Sequence, residues 1–331
     1  MITFVVRRLL LAIVTTWLIS VLSFAIIQLP PGDFVDTYIA QMAASGSSVS
    51  AQAAEAMRKM YGLDRPFYVQ YGKWVGRIVH GDFGESMEWR RPVLEVIGDR
   101  LWLTVLLAFA ALIITWGLAL PIGIYSAVRQ YSIGDYLFTL VGFVGIAVPN
   151  FLLALVLMYF SFRWFGASVG GLFSAKYSLL PWSWGKVWDL MKHLPLPAVV
   201  LALGGTAQLV RIMRANLLDE LRKPYVTAAR ARGVPPLRLL LRYPVRLALN
   251  PFVSGIGSLF PDLISGGAIV AIVLSLPMIG PVLLDGLLSE DVPLAASMLV
   301  VMSFLAIVGT LVSDLLLMAL DPRIRMQGGG R

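Results

Sequence analysis

Six stretches of the chain run for at least 17 residues with no Asp, Glu, Lys or Arg, or with only one of them. They comprise residues 9–32, 101–128, 136–162, 194–210, 247–284 and 292–320. A transmembrane helix needs about 20 apolar residues to cross a hydrocarbon core roughly 30 Å thick. Charged residues make up only 14% of the chain and hydrophobic residues 58%, so there are too few charges to cover a water-facing surface. The pattern predicts an all-α membrane protein with six transmembrane helices, rather than a soluble enzyme or a disordered chain.

The first stretch follows Arg7 and Arg8, and so it begins as a secretory signal peptide would. Its apolar part is longer than the roughly 7–15 residues of a signal peptide, and no small-residue cleavage site is evident before Pro30 and Pro31. We therefore expect an uncleaved first transmembrane helix.

The cations are concentrated between two of the apolar stretches. Residues 211–246 contain nine Lys or Arg and two acids, whereas residues 285–291 contain three acids and no cation. Short loops rich in Lys and Arg remain in the cytoplasm. Residues 211–246 are therefore predicted to be cytoplasmic and residues 285–291 to lie outside, with both termini in the cytoplasm.

This topology divides the chain into three parts. Residues 1–98 form the first helix and a small extracytoplasmic insert, residues 99–321 a core of five transmembrane helices, and residues 322–331 a cytoplasmic tail. A second outer segment, residues 163–193, contains four tryptophans. Tryptophan is common at membrane–water boundaries, although these side chains could instead stack on a ligand.

The cytoplasmic loop, residues 219–247, contains a short helix with a defined beginning and end. Pro224 suits the first turn of a helix, where its missing N–H costs nothing. Gly233 suits the left-handed position that follows a helix, and Pro235 and Pro236 prevent continuation.

The same loop has a small-residue patch and a regular series of cations. Ala228 and Ala229 allow another backbone to approach the short helix closely. Three arginines recur at four-residue intervals and are predicted to share one helical face, namely Arg238, Arg242 and Arg246. The loop could simply fix topology and contact anionic lipids, but the capped helix favours a docking element for a soluble partner.

Polar residues within the apolar stretches are candidates for a translocation path. Asp262 interrupts the fifth stretch shortly before Ser265, and ionisable groups in a membrane usually face a cavity or a partner. Asn150 follows a proline in the third stretch, so it either faces the path or only satisfies a helix kink. Asp262 and Asp314 could alternatively be ion sites of a secondary transporter, or a protease dyad, for which no supporting motif is present.

The residue types of many catalytic and metal sites are scarce. The chain has no cysteine and only two histidines, and it contains no GxxxxGK[ST] phosphate-binding motif. We therefore predict no catalytic residue, no metal site and no cofactor in this chain. The basic segment is short and bounded by membrane helices, which argues against nucleic-acid binding.

A series of short motifs resembles, in order and along nearly the whole chain, the permease subunits of bacterial ABC importers of the peptide and nickel type. The motifs are PGD at 31–33, YGLDRP at 61–66, GDFGES at 81–86, TAARARG at 227–233, RYPVRLALNP at 242–251, SLPMIG at 275–280, DVP at 291–293 and DPR at 321–323.

The resemblance implies a type I ABC importer permease fold in a bacterial inner membrane. It implies a second, homologous permease chain in a heterodimer, two ATPase subunits that bind ATP and magnesium, an extracytoplasmic binding protein, and surrounding lipid. It also implies that residues 227–233 dock on the ATPase, although Thr227 stands where the family has Glu. The residues assigned to this coupling loop are Tyr225, Thr227, Ala228, Ala229, Arg232, Gly233, Arg242 and Arg246.

The resemblance leaves the cargo open. Ala271 stands where the peptide-type pattern has Glu, and the surrounding sequence also resembles a branch of the family associated with oligosaccharides. We expect either a small peptide or an oligosaccharide, delivered by the binding protein.

Overall fold

The computed structural model describes residues 2–166, 170–258, 261–262 and 266–320. Helices account for the regular secondary structure of these residues apart from one isolated β-bridge between Glu85 and Pro92. The all-α prediction is therefore confirmed for the described part of the chain, which divides into two compact units.

The first unit comprises Met1–Thr104 and Met278–Ile307. Its helices are α1 (Ile2–Ile27), α2 (Phe34–Ala44), α3 (Ala51–Tyr61), α4 (Phe67–Val79) and α16 (Ile279–Leu288), with parts of α5 (Val93–Val128) and α17 (Val292–Leu320).

Reciprocal capping defines the beginning of α2 in this unit. The Asp33 side chain accepts from the Asp36 backbone N–H, and the Asp36 side chain accepts from the Asp33 N–H. Arg58 of α3 forms ion pairs with both carboxylates. The two helices are thereby joined above a small core that includes Phe34 and Ala54.

A buried carboxylate joins the end of the insert to the beginning of α17. Asp291 is fully buried and accepts hydrogen bonds from Ser86 Oγ at 2.6 Å, Glu88 N at 3.1 Å and Leu294 N at 3.2 Å. Burial raises the pKa of this carboxyl, while the hydrogen bonds oppose the shift. The GDFGES and DVP motifs therefore meet at one structural junction.

The second unit comprises Val105–Pro277 and Val308–Arg331. Beyond its parts of α5 and α17, its helices are α6 (Ile133–Ala147), α7 (Asn150–Phe165), α8 (Ala175–Ser178), α9 (Trp184–His193), α10 (Pro195–Leu221), α11 (Pro224–Ala231), α12 (Pro236–Arg242), α13 (Pro244–Ala248), α14 (Asn250–Ser254) and α15 (Gly267–Val273).

Helix α10 is central to this unit and packs against α6, α7 and α13. Met213 and Leu217 of α10 are fully buried in a core shared with Phe252. A Cβ on Gly123 of α5 would lie 2.6 Å from Met213 Cβ, so only glycine permits this close approach of α5 and α10.

Four helical segments in the described ranges are long and apolar enough to cross a membrane, namely Leu10–Ile27, Val93–Val128, Trp184–Leu221 and Val292–Leu320. Helices α6 and α7 meet the same criteria together and would make a fifth, but they are bent by 104° at their junction. The predicted fifth stretch, residues 247–284, contains only short helices in its described part. Its residues 259–260 and 263–265 lie outside the described ranges.

Candidate functional site

Helix α11 begins and ends as its sequence predicts. Pro224 is its first residue, and Lys223 before it has an extended backbone. At the other end Gly233 has φ +75°, and its N–H donates to Arg230 O at 2.9 Å. The Val234 N–H donates to Ala229 O at 3.3 Å, which completes a Schellman-type end. The prediction of a short helix bounded by Pro224 and Gly233 is confirmed.

The helix is fixed on one side and open on the other. Val226 is fully buried, whereas Thr227 and Ala228 are exposed and Ala229 is half-buried. The exposed side therefore offers small side chains, which allow close approach by another backbone.

A groove of about 950 Å³ lies beside α11. Ala228, Ala229 and Arg232 line one part of it, and Arg242 and Arg246 line another. The structure thus brings most of the predicted coupling residues to one surface, while Thr227 lies on the exposed side of α11 and Gly233 follows the end of the helix. We call this surface the loop groove.

A tyrosine connects α11 to the end of α10. The Tyr225 hydroxyl donates to Glu220 Oε2 at 2.6 Å, and Lys223 pairs with the same carboxylate. Burial, followed by the contact with Glu220, raises the pKa of Tyr225 above its usual range. Glu220 is a structural partner that the sequence did not identify.

The predicted continuous arginine face is wrong. The helix breaks at Tyr243, with φ −121° and ψ −72°, because the following Pro244 disfavours a helical conformation there. Arg242 therefore ends α12, whereas Arg246 lies in the separate helix α13. Arg246 donates to Leu320 O at 3.0 Å and Ala319 O at 3.1 Å, so it caps the end of α17 with a cation.

A second cavity, of about 490 Å³, lies among α5, α7, α10 and the described residues between Phe252 and Gly267. Both Asn150 and Asp262 line it, together with Thr115 and Gln208, which the sequence had not singled out. Ser265, the remaining candidate, lies outside the described residues. We call this space the core cavity; Asp314 is not among its lining residues.

Asn150 lies at the bend between α6 and α7. It follows Pro149, and its side chain packs closely on α10, where a Cβ on Gly204 would lie 2.8 Å from Asn150 Oδ1. Asn150 therefore lies at the kink and also lines the core cavity.

An ion pair that the sequence did not predict joins α6 to α10. Arg214 donates to both carboxylate oxygens of Asp135, at 2.9 and 2.8 Å, and the Asp135 side chain is almost fully buried. The partners are 79 positions apart, so no local pattern indicates the pairing. In the described ranges no group of three His, Asp or Glu side chains is arranged to hold a metal ion.

Two family models together match most of the chain. Residues 119–326 match the family described as "Binding-protein-dependent transport system inner membrane component". The chain belongs to this family. Residues 1–108 match the N-terminal model of the same membrane components. The permease is therefore a multi-pass inner-membrane transport subunit and not an enzyme.

Several relatives match the permease over nearly its full length. It is 35% identical to the oligopeptide transport system permease protein AppB of Bacillus subtilis, over 98% of this chain and 99% of the relative. It is 33% identical to the glutathione transport system permease protein GsiC of Escherichia coli, over 98% and 99%. It is 31% identical to the di/tripeptide transport system permease protein DppB of Pseudomonas aeruginosa, over 99% and 100%.

Family membership removes two of the alternatives raised for the intramembrane aspartates. The permease works as the membrane component of a binding-protein-dependent ABC importer, so the secondary-transporter and protease interpretations of Asp262 and Asp314 are wrong. Nucleotide chemistry belongs to separate ATPase subunits, and the permease needs no cofactor of its own.

Proposed function

We propose that this permease forms half of the translocation path for small peptides and couples that path to ATP hydrolysis through α11. The observation that carries the proposal is the capped, small-residue helix beside the open loop groove. Its backbone is held at both ends, and its exposed alanines leave room for a partner.

The coupling is supported by one continuous element. Tyr225 ties α11 to the end of α10, and α10 extends back to Gln208 and Gly205 on the core cavity. Leu221 and Gly205 are separated by about 24 Å of helix at 1.5 Å per residue. Movement of a docked α11 is therefore transmitted along helix α10 to the polar residues that line the core cavity.

The proposed topology has six transmembrane helices with both termini in the cytoplasm. Residues 1–98 then form the first helix and the extracytoplasmic insert, residues 99–321 the transmembrane core with its coupling loop 219–247, and residues 322–331 the tail. The distribution of cations supports this orientation, because residues 211–246 contain nine of them and residues 285–291 contain none.

The proposed partners are a different, homologous permease chain, two cytoplasmic ATPase subunits and an extracytoplasmic peptide-binding protein. The names of the relatives support peptides over oligosaccharides, since they describe transport of oligopeptides, di- and tripeptides and glutathione. Asn150 and Asp262 on the core cavity are proposed to contact cargo or to control its passage.

The test begins with purification of the tagged permease from its native membrane and identification of its partners. Co-purified binding protein is then titrated calorimetrically with peptides of two to five residues and with oligosaccharides of matched size. We expect a heat of binding with the peptides and none with the oligosaccharides. Binding of oligosaccharides alone would overturn the cargo assignment, and isolation of the chain without ATPase would overturn the assembly.

A pair of charge insertions tests the docking role. Ala228→Glu places a carboxylate on the exposed side of α11, and Ala53→Glu places one on an exposed side of α3 in the insert. Only Ala228→Glu is expected to release the ATPase, because a charge buried without a partner in a protein interface is strongly unfavourable. Equal ATPase recovery from both variants would refute docking through α11.

A further inference from the structure

Helix α9 buries two charged residues and exposes several large apolar ones, although Leu190 is also buried and Lys192 is exposed. Lys186 is 7% exposed and Asp189 9% exposed, whereas Trp184 is 88%, Trp188 65% and Met191 56% exposed. This is the reverse of the pattern of a water-facing helix. We call the outward side, which consists of Trp184, Val187, Trp188 and Met191, the aromatic face of α9.

The buried polar groups have partners within the same loop. Lys186 Nζ donates to Leu180 O at 2.5 Å and lies within 5.3 Å of the centres of two aromatic rings. Asp189 accepts from the backbone N–H of Ser174 at 2.7 Å and from its hydroxyl at 3.0 Å. These contacts fix the rotation of α9 about its axis, so the outward direction of the aromatic face is built into the loop.

The position of α9 indicates what covers that face. Helices α9 and α10 together form the candidate membrane segment Trp184–Leu221, and the charge-free stretch of α10 begins at Leu194. Trp188 precedes Leu194 by six residues, which corresponds to about 9 Å along a helix. The headgroup layer extends about 5–8 Å beyond the hydrocarbon core on each side, so this distance places Trp188 near the outer edge of the layer in which Trp is enriched.

Two neighbouring features agree with a boundary at this level. Trp164, near the end of α7 and at the other end of the same loop, is also largely exposed. Lys192 lies at the edge of the aromatic face, with its Nζ 5.8 Å from the centre of the Trp188 ring. An ammonium group beside a tryptophan suits the transition from acyl chains to phosphates.

We propose that the aromatic face of α9 lies against membrane lipid at the boundary between acyl chains and headgroups, and anchors the loop between α7 and α10. The continuity of α9 with a membrane-spanning helix favours lipid over a protein partner. The anchor holds one end of α10 at a fixed depth while α11 is attached at the other end.

The absence of cysteine from the chain permits a direct measurement of depth. Single cysteines replace Met191, Trp188 and, as a control on an exposed polar site of the same loop, Lys176. Each is labelled with an environment-sensitive fluorophore in the complete importer, purified through this chain and reconstituted in liposomes. Quenching is measured with nitroxide-labelled phospholipids and with aqueous iodide, and ATPase activity confirms that each variant is assembled.

The two aromatic-face labels are expected to show at least about threefold more lipid quenching than the Lys176→Cys label, and correspondingly less iodide quenching. Met191→Cys should be quenched by nitroxides placed deeper than those that quench Trp188→Cys. Iodide quenching equal to that of the control would overturn the proposal. Protection from both quenchers would show a protein partner on the face and would also overturn it.

Val187→Cys provides a second site on the same face that leaves every tryptophan in place. If removal of Trp188 disturbs the loop, the Val187→Cys label is still expected to be quenched by the nitroxide-labelled phospholipids more than the Lys176→Cys label is. Lipid contact is independent of cargo and of ATPase docking, so failure of the proposed function would leave this result unchanged.

Discussion

The left-handed glycine at the end of α11 gives the sharpest test of the coupling helix. Gly233 has φ +75°, and a Cβ at this position would meet no atom within 4 Å. Gly233→Ala therefore introduces backbone strain without a steric clash. The left-handed conformation costs a residue with a Cβ about 1–2 kcal/mol. The lower entropy of the unfolded chain favours alanine over glycine by about 0.4–1 kcal/mol, but only at sites where the backbone conformation suits alanine.

A cost near 1 kcal/mol changes a local equilibrium by about fivefold. The ratio of frayed to intact α11 ends should rise by this factor, and ATP-driven uptake should fall by less than this factor if docking requires the intact end. Gly233→Asn should retain more uptake, because asparagine tolerates the left-handed region. Gly233→Val should retain less, because a β-branched residue at positive φ is strongly strained.

Gly62 offers a matched control. It ends α3 with φ +72°, a Cβ there would likewise meet no atom within 4 Å, and it shares the hydrogen-bond pattern of Gly233. Gly62→Ala should lower the melting temperature about as much as Gly233→Ala does, and it should leave ATP-driven uptake unchanged. Equal uptake by the Asn, Ala and Val variants of Gly233 would refute the reasoning.

Three further predictions concern other parts of the fold. Arg214→Leu leaves the buried carboxylate of Asp135 without its cation and should lower the stability of the fold by about 3–5 kcal/mol. This loss is measured as a decrease in folded protein in detergent, and the additional change Asp135→Leu should restore most of the lost stability. Gly204→Ala places a Cβ 2.8 Å from an amide oxygen and should reduce uptake, whereas Gly205→Ala, at 3.8 Å from its nearest neighbour, should not. Burial and two nearby aspartates raise the pKa of Glu290 above its usual 4.5, so folding favours the protonated form of this side chain. The contribution of the protonated form to the stability of the fold is present below about pH 4.5 and is lost as the pH rises through the pKa of the folded state. Glu290→Gln should therefore raise the melting temperature at pH 8 and leave it unchanged at pH 4.

Local chemistry explains what the sequence predicted well. Pro224 and Gly233 act on their own backbone, so the bounds of α11 follow from a few residues. Pro244 acts locally too, and it shows why the regular arginine spacing was a misleading signal: helical spacing has meaning only where the helix continues.

Long-range contacts explain what the sequence missed. Asp135 and Arg214 lie on separate helices, and Asn150 and Asp262 share a cavity only because the helices pack as they do. The outward face of α9 also depends on tertiary contacts, since Lys186 and Asp189 find their partners in the preceding loop. The proline between α6 and α7 predicts a break in the helix, but it does not predict that the two helices are bent by 104°.

One cross-linking measurement tests the central claim most directly. Ala228→Cys in this cysteine-free chain places a single thiol on the exposed side of α11, and a bifunctional reagent is added to native membranes in the presence and absence of ATP. The account predicts a covalent product with an ATPase subunit whose yield changes with ATP, and no such product from Ala53→Cys. The same ATPase product from both positions, or none from Ala228→Cys, would contradict coupling through α11.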